Sequence, residues 1–121
     1  MTDMSERQGP LKSGCVWREA FALVTSRWGI LILIALGQRP LRFYLLRDSV
    51  EGISEKMLSQ TLKLLVRDGF VARHADGSAP PQVTYSLTPL GKGLAERLNA
   101  VSEWLGAHLD EVNAVRQRQK L

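Results

Sequence analysis

The apolar positions of this chain change period several times along its length, and each change marks an element boundary. From Val16 onward, Val16, Ala20, Leu23 and Val24 follow helical spacing, and Trp17, Phe21 and Trp28 add a second apolar stripe beside the first. So wide an apolar surface needs two neighbours, one of which a second chain can supply. Ser26 to Gly29 reads as a short break, after which Trp28 or Gly29 opens a helix that runs through Leu36 to a stop at Gly37. Pro40, Leu41 and Arg42 leave room only for an edge strand or connector. Phe43, Leu46 and Val50, spaced i, i+3, i+7, predict a compact helix over about 43–49. A turn at Glu51, Gly52 and Ile53 follows. Ser54 then serves as N-cap of a helix that continues through Asp68, with Gly69 at the C′ position.

Beyond that helix the period shortens to two. Phe70 to His74 predicts a strand, and residues 75–82, with Asp76-Gly77 and Pro80-Pro81, predict a loop. Val83, Tyr85 and Leu87 alternate with Thr84 and Ser86 in a second, half-buried strand, so the two make a hairpin. Thr88 and Pro89 then supply N-cap and N1 of a long terminal helix reaching about residue 118. On it Leu94, Leu98, Val101, Leu105, His108, Val112 and Val115 alternate spacings of four and three, with Trp104 and Leu109 beside them. This seam covers about six turns, more than one small core can use, and predicts self-association. Packing on the first helix of the same chain is the other use of the seam, and both can hold together.

The order helix, helix, short helix, turn, helix, hairpin, long helix is that of a winged helix-turn-helix. The fold class is therefore mainly α with a small β-hairpin (α+β). Residues 15–121 form one domain, with dimerisation helices over about 15–26 and 89–118. Met1 to Gly14, with Gly9, Pro10 and Gly14 and no periodicity, is expected to be a flexible arm.

Composition narrows the function. Apolar residues at 45% and charged residues at 23% are those of a globular domain and exclude a disordered chain. One cysteine excludes an internal disulfide and a multi-cysteine zinc site. With only His74 and His108, a metal site would have to be built from carboxylates or shared between chains, and no metal or cofactor is expected. The opening residues lack a signal-peptide core, and the run Ile30 to Leu36 is far short of the ~20 residues that span a bilayer. A cytoplasmic location without membrane contact is the resulting expectation. No nucleophile is paired with a base, and no phosphate-binding glycine loop is present, so an enzyme is not expected.

The net charge of +4 has an uneven distribution: residues 27–88 carry +3, the first 26 residues balance, and the remainder carries +1. An anionic partner is expected at the central segment. There, at 100° per residue, Lys56, Ser59, Gln60, Lys63 and Arg67 fall within an arc of about 100° on the Ser54–Asp68 helix, opposite Leu58, Thr61, Leu62 and Leu65. Gln pairs with adenine edges, Ser bonds base or phosphate, and Lys reaches guanine or backbone, so this face is suited to reading double-stranded DNA. A polar helix face is also the ordinary solvated surface of any small domain. The modest charge implies modest affinity per subunit and hence a dimer on a quasi-palindromic operator.

The residues match a known family. Trp28 with Leu31, Ile32 and Leu33; Arg42 and Phe43 with Leu46 and Arg47; and Gly52, Ile53 and Ser54 with Lys56 to Gln60 carry the first part. Leu62, Leu65, Asp68, Gly69, Val71, Pro80, Pro81, Val83 and Tyr85 to Gly91 carry the second. In these the chain resembles the HxlR-type transcriptional regulators, winged-helix relatives of the MarR group, from Cys15 to about Trp104. The resemblance implies a homodimeric DNA-binding regulator, commonly a repressor, with Ser54, Lys56, Ser59, Gln60, Lys63 and Arg67 on the recognition helix. It further implies Arg42, Arg73 and Gln82 at the flank and wing, where Arg73 to Val83 form the wing. The dimer interface falls to the first and last helices, through Trp17, Phe21, Leu94, Leu98, Val101, Trp104, Leu105, His108 and Val112. Two departures are visible: Val16 stands where the family has proline after its N-terminal cysteine, and Gln82 where its wing has a basic residue. The first weakens the start of helix one; the second makes the wing tip less cationic.

Cys15 matches the cysteine that senses oxidants or electrophiles in some members. A helix N-terminus favours the thiolate, the reactive form. A buried interface cysteine is the competing role. A small-molecule effector is compatible with this class, and a winged-helix module that binds protein without specific DNA readout is the alternative function.

Overall fold

Thr25 and Ser26 turn the chain between its first two helices, α1 (Val16–Val24) and α2 (Arg27–Gln38), whose axes differ by 68°. The Thr25 N–H and hydroxyl both donate to the Phe21 carbonyl, at 3.0 and 2.6 Å, and close α1. Ser26 Oγ then accepts from the Gly29 N–H at 3.1 Å and opens α2. A Cβ at Gly29 would collide with the Leu23 carbonyl, so the tight bend requires glycine there. The break expected over 26–29 is confined to Thr25 and Ser26, and α2 begins at Arg27 rather than at Trp28 or Gly29. Its end differs from the expected stop at Gly37. Pro40 disfavours helical backbone at Arg39, which is extended at φ −173° and ψ 160°, and the helix therefore runs on through Gly37 to Gln38. The proline, rather than the glycine, ends it.

The computed structural model describes Leu11 and residues 15–119. The arm expected over 1–14 lies outside the described residues apart from Leu11. The chain continues from α2 through β1 (Leu41–Arg42), α3 (Phe43–Ser49), α4 (Glu55–Arg67), β2 (Val71–Ala75), β3 (Val83–Leu87), α5 (Pro89–Ala107) and α6 (Leu109–Gln119). The three strands form one antiparallel sheet in the order β1-β3-β2, so the hairpin gains an edge strand from before the helix-turn-helix. Leu41 lies opposite Tyr85 and Arg42 opposite Thr84, while Val71 lies opposite Leu87 and Arg73 opposite Tyr85.

The core joins Ile32 and Leu33 of α2, Leu46 of α3, Leu58, Leu62 and Leu65 of α4, and Val71 of β2, all fully buried. Burial of each such aliphatic side chain contributes about 1.5–3 kcal/mol. Thr61 is the buried polar residue among them, and its hydroxyl donates to the Met57 carbonyl at 2.8 Å. The Thr88 side chain ties the hairpin to both flanking helices: Oγ1 donates to the Gly69 carbonyl at 2.6 Å and accepts from the Gly91 N–H at 3.0 Å. Gly69, at φ +83°, ends α4 in the left-handed conformation as its position suggested.

The terminal helix is where expectation and structure part. A single helix over 89–118 is replaced by α5 and α6, broken at His108. The Trp104 carbonyl bonds the His108 ring nitrogen Nδ1 at 2.7 Å, while the His108 N–H turns to the nearer Leu105 carbonyl at 3.1 Å. The ring occupies the acceptor that a continuous helix would give to the backbone. The seam also divides. Leu98, read as an interface residue, is only 8% exposed and belongs to the core of its own chain, and Leu94 packs against the same core. That part of the seam faces α2, an intrachain partner the alternation of four and three does not distinguish from a second chain. Val101 and Trp104, at 59% and 60% exposure, and Leu105 remain outside.

Candidate nucleic-acid interface

The α3–turn–α4 unit is built locally. Gly52 at φ +92° makes the turn, buried Ile53 anchors it, and Ser54 Oγ accepts from the Met57 N–H at 3.0 Å to cap α4. Arg47 of α3 bridges the unit. Its guanidinium donates to Glu55 Oε2 at 2.8 Å and to Asp48 Oδ1 at 3.1 Å, and it lies 4.9 Å from the Tyr44 ring centre. The hydrogen bonds to Glu55 and then Asp48 raise the Arg47 pKa further above its ordinary value. Arg47, part of the central basic excess, is therefore engaged within the protein, and the one carboxylate at the start of α4 is neutralised by it.

Leu58, Thr61, Leu62 and Leu65 turn α4 into the core, which leaves Lys56, Gln60 and Lys63 exposed and Ser59 half-buried on the far side. The exposed capping residue Ser54 stands at the start of the helix, outside this arc. Arg67 does not join them as an unengaged cation. At the last turn its Nε and Nη2 donate to the two carboxylate oxygens of Asp68, at 2.8 and 3.2 Å, and that pairing raises its pKa. Met57, 38% exposed, and Leu64 flank the polar arc and were not singled out by sequence. Their signal was angular: at 100° per residue both fall beside Gln60.

The hairpin forms the second part of the surface. Residues directly opposite in an antiparallel pair share a face, so the register sets Arg42, Thr84 and His74 on one face of the sheet. Arg73 lies on the other, with Tyr85 and Leu41. The two arginines assigned to the flank and wing are therefore not adjacent, and His74, on the same face as Arg42 with Thr84 between them, is an additional candidate. The parity of β2 carried this signal, since Arg73 follows buried Val71 by two. Gln82 lies exposed at the mouth of the loop, where its carbonyl accepts from the Asp76 N–H at 3.1 Å and its own N–H donates to Asp76 Oδ1 at 3.1 Å.

Cys15 is half-buried and occupies the N-cap position of α1, which starts at Val16 despite the missing proline. Trp17 stacks obliquely on Phe21 at 5.0 Å, and Trp104 stacks on His108 at 4.0 Å. Val112 is half-buried on α6. An open groove of about 830 Å³ separates the end of α2 from α5, with Arg39 and Lys92 set against Glu96 and Glu103. Among the described residues, no group of three or more His, Cys, Asp or Glu side chains is placed to hold a metal ion, and no single helix is long and apolar enough to cross a membrane.

A three-helix core with a helix-turn-helix and a three-stranded wing defines a winged helix-turn-helix protein. The model of the HxlR-like helix-turn-helix family matches residues 23–113, and the chain belongs to that family of DNA-binding transcriptional regulators. It is 49% identical over 105 residues to the helix-turn-helix-type transcriptional regulator YtfH of Escherichia coli K12, covering 87% of this chain and 83% of that one. The structure of the transcriptional regulator YtfH from Salmonella typhimurium superposes with a TM-score of 0.84 at 43% identity, over 90% of this chain and 97% of the other. Diamide-treated YodB of Bacillus subtilis superposes at 0.65 and 31% identity, over 79% and 96%.

Proposed function

We propose that this regulator acts as a homodimer on a quasi-palindromic operator, with one α4 helix in each of two major-groove segments about one helical turn apart. Lys56, Ser59, Gln60 and Lys63 make the base and phosphate contacts, Ser54 meets phosphate at the helix start, and the wing contacts the flanking backbone through Arg42, Arg73 and Gln82. The observation that carries this reading is the division of α4: one side is wholly buried, and the other carries exposed Lys56, Gln60 and Lys63 with half-buried Ser59, their side chains unengaged among the described residues. The pairing of Arg67 with Asp68 gives that residue a secondary part.

Dimerisation through Trp17, Phe21, Val101, Trp104, Leu105, His108 and Val112 supplies the second reading helix. Repression is the mode most directly available to such a dimer, because a protein seated over a promoter excludes polymerase. YodB has been solved in diamide-treated and reduced forms. By that likeness Cys15, at the edge of the dimerisation helices, is proposed to couple an oxidant or electrophile to DNA affinity. The groove beside Arg39 and Lys92 is the proposed seat of a small-molecule effector. Action in the cytoplasm, without a catalytic step, follows from the same reading.

The test is fluorescence anisotropy of the protein with DNA from upstream of its own gene, against nonspecific competitor at rising salt. Specific binding should survive competitor, and Gln60→Ala should relax preference at one base pair by a factor of about 10. If DNA binding is equal for specific and competitor sequences, the winged-helix protein-interaction module takes the place of this reading.

A further inference from the structure

A negatively charged side chain at the tip of a DNA-contacting wing is unexpected, since a carboxylate near phosphates repels them. Asp76 occupies that position, directly after β2. Its Oδ1 atom accepts three hydrogen bonds: from the Ser78 hydroxyl at 2.7 Å, the Ser78 N–H at 2.9 Å and the Gln82 N–H at 3.1 Å. The Asp76 N–H donates to the Gln82 carbonyl at 3.1 Å, and the Ser78 hydroxyl also lies 2.9 Å from the Pro80 carbonyl. One oxygen atom thus draws the two ends of the 76–82 loop together with its middle. Gly77 at φ +80° supplies the left-handed residue that brings Ser78 round to it. The loop has no buried apolar side chain to hold it, since residues 72–82 are all exposed. These polar bonds are its internal organisation.

We infer that Asp76 is a positioning residue for DNA binding, which fixes the wing tip in the shape that sets Gln82 and the neighbouring Arg42 against the nucleic-acid backbone. The inference rests on the proposed contact of the wing with DNA. Ordering a loop in advance removes part of the entropy that would otherwise be lost on binding. That gain must exceed the repulsion between one carboxylate and the phosphates, a repulsion that Arg42 nearby reduces. The charge itself is not needed for the three bonds, because all of them end on the one oxygen that an asparagine amide also offers.

This sets electrostatics and organisation against each other with opposite signs. Removal of an acidic side chain beside DNA should tighten binding if charge governs, and weaken it if loop order governs. The experiment is a series of anisotropy titrations of the full chain with DNA from upstream of its own gene at several salt concentrations, for Asp76→Ala, Asp76→Asn, Ser78→Ala and the double variant Arg42→Ala, Arg73→Ala. Asp76→Ala should weaken binding about fivefold, with a salt slope reduced by about 1 per subunit and an unchanged helix content. Ser78→Ala should weaken it by less, and Asp76→Asn should bind as tightly as the parent chain or tighter. If Asp76→Ala binds equally or more tightly while the arginine variant is weakened, the positioning role is overturned and the wing contact stands. If neither the Asp76 nor the arginine variants change affinity, the wing contact and this inference both fail. Equal weakening by Asp76→Asn and Asp76→Ala would also overturn it, since the hydrogen-bonding oxygen would then not be the cause.

Discussion

Two amphipathic helices of this molecule use their apolar stripes in opposite ways. Helix α4 places Leu58, Leu62 and Leu65 wholly inside its own chain and needs no second subunit to be covered. The outer part of α5 leaves Val101, Trp104 and Leu105 in solvent, after its first turns have contributed Ala95 and Leu98 to the core. The leucine stripe of α4 is covered within the chain; the outer stripe of α5 is not. The division matches the two tasks proposed for them. A helix proposed to read DNA has its support within the chain. A helix proposed to pair with a second subunit leaves its outer apolar stripe uncovered.

The largest expected effect tests the first half of that contrast. Leu62→Ala opens a cavity where α4 meets the core and should lower the unfolding free energy by about 3 kcal/mol. Urea denaturation at fixed protein concentration measures it. A loss well under 1 kcal/mol would mean that α4 draws its support from elsewhere. The paired change Trp104→Ala, Leu105→Ala should raise the dimer dissociation constant about 30-fold, read by sedimentation equilibrium. The helical signal of the isolated subunit should be unchanged. Loss of helix content in that variant would place Trp104 and Leu105 in the intrachain fold and erase the contrast.

A smaller effect separates the polar faces of the same two helices. Lys63→Ala on α4 should weaken DNA binding several-fold and reduce the salt slope by about 1 for each subunit that touches phosphate. Lys92→Ala on α5 should leave both unchanged, since Lys92 lies with Glu96 and Glu103 at the groove beside α2. Equal effects from the two lysines would indicate attraction by overall charge rather than contact through α4.

Much of the reading half was legible because its determinants are local. Ser54 and Thr88 cap the helices that follow them, Gly69 ends α4, and a three-to-four spacing separates the buried leucines of α4 from Lys56, Gln60 and Lys63. What sequence missed depends on partners distant along the chain or on competition for one acceptor. The seam from Leu94 to Val115 has one pattern, yet α2 covers its beginning and solvent its middle. At the His108 break a side-chain ring meets the Trp104 carbonyl, a contact no hydrophobic period encodes. Arg47 and Arg67 counted as DNA-facing charge until Glu55, Asp48 and Asp68 were found on them. Composition counts charges but not their engagements.

The smallest effect concerns the wing, the one part of the reading half that lacks apolar support. The Ser78 hydroxyl, then the Ser78 and Gln82 N–H groups, hold the Asp76 carboxyl well below its ordinary value of 3.8, down to about 2. A pKa depressed in the folded state means that the stabilisation is fully present above about pH 4. It is lost progressively as pH falls through about 2. The tip should therefore keep its shape throughout the neutral and mildly acidic range. Below about pH 4 the Ser78 and Gln82 amide resonances should shift together along one titration curve centred near pH 2, which NMR can follow. Asp76→Asn should abolish that curve while leaving both amides near their neutral-pH positions. Amides that titrate near pH 4 instead would show that the loop is not held by Asp76, and the wing would then join the terminal helix as a region completed only by its partner.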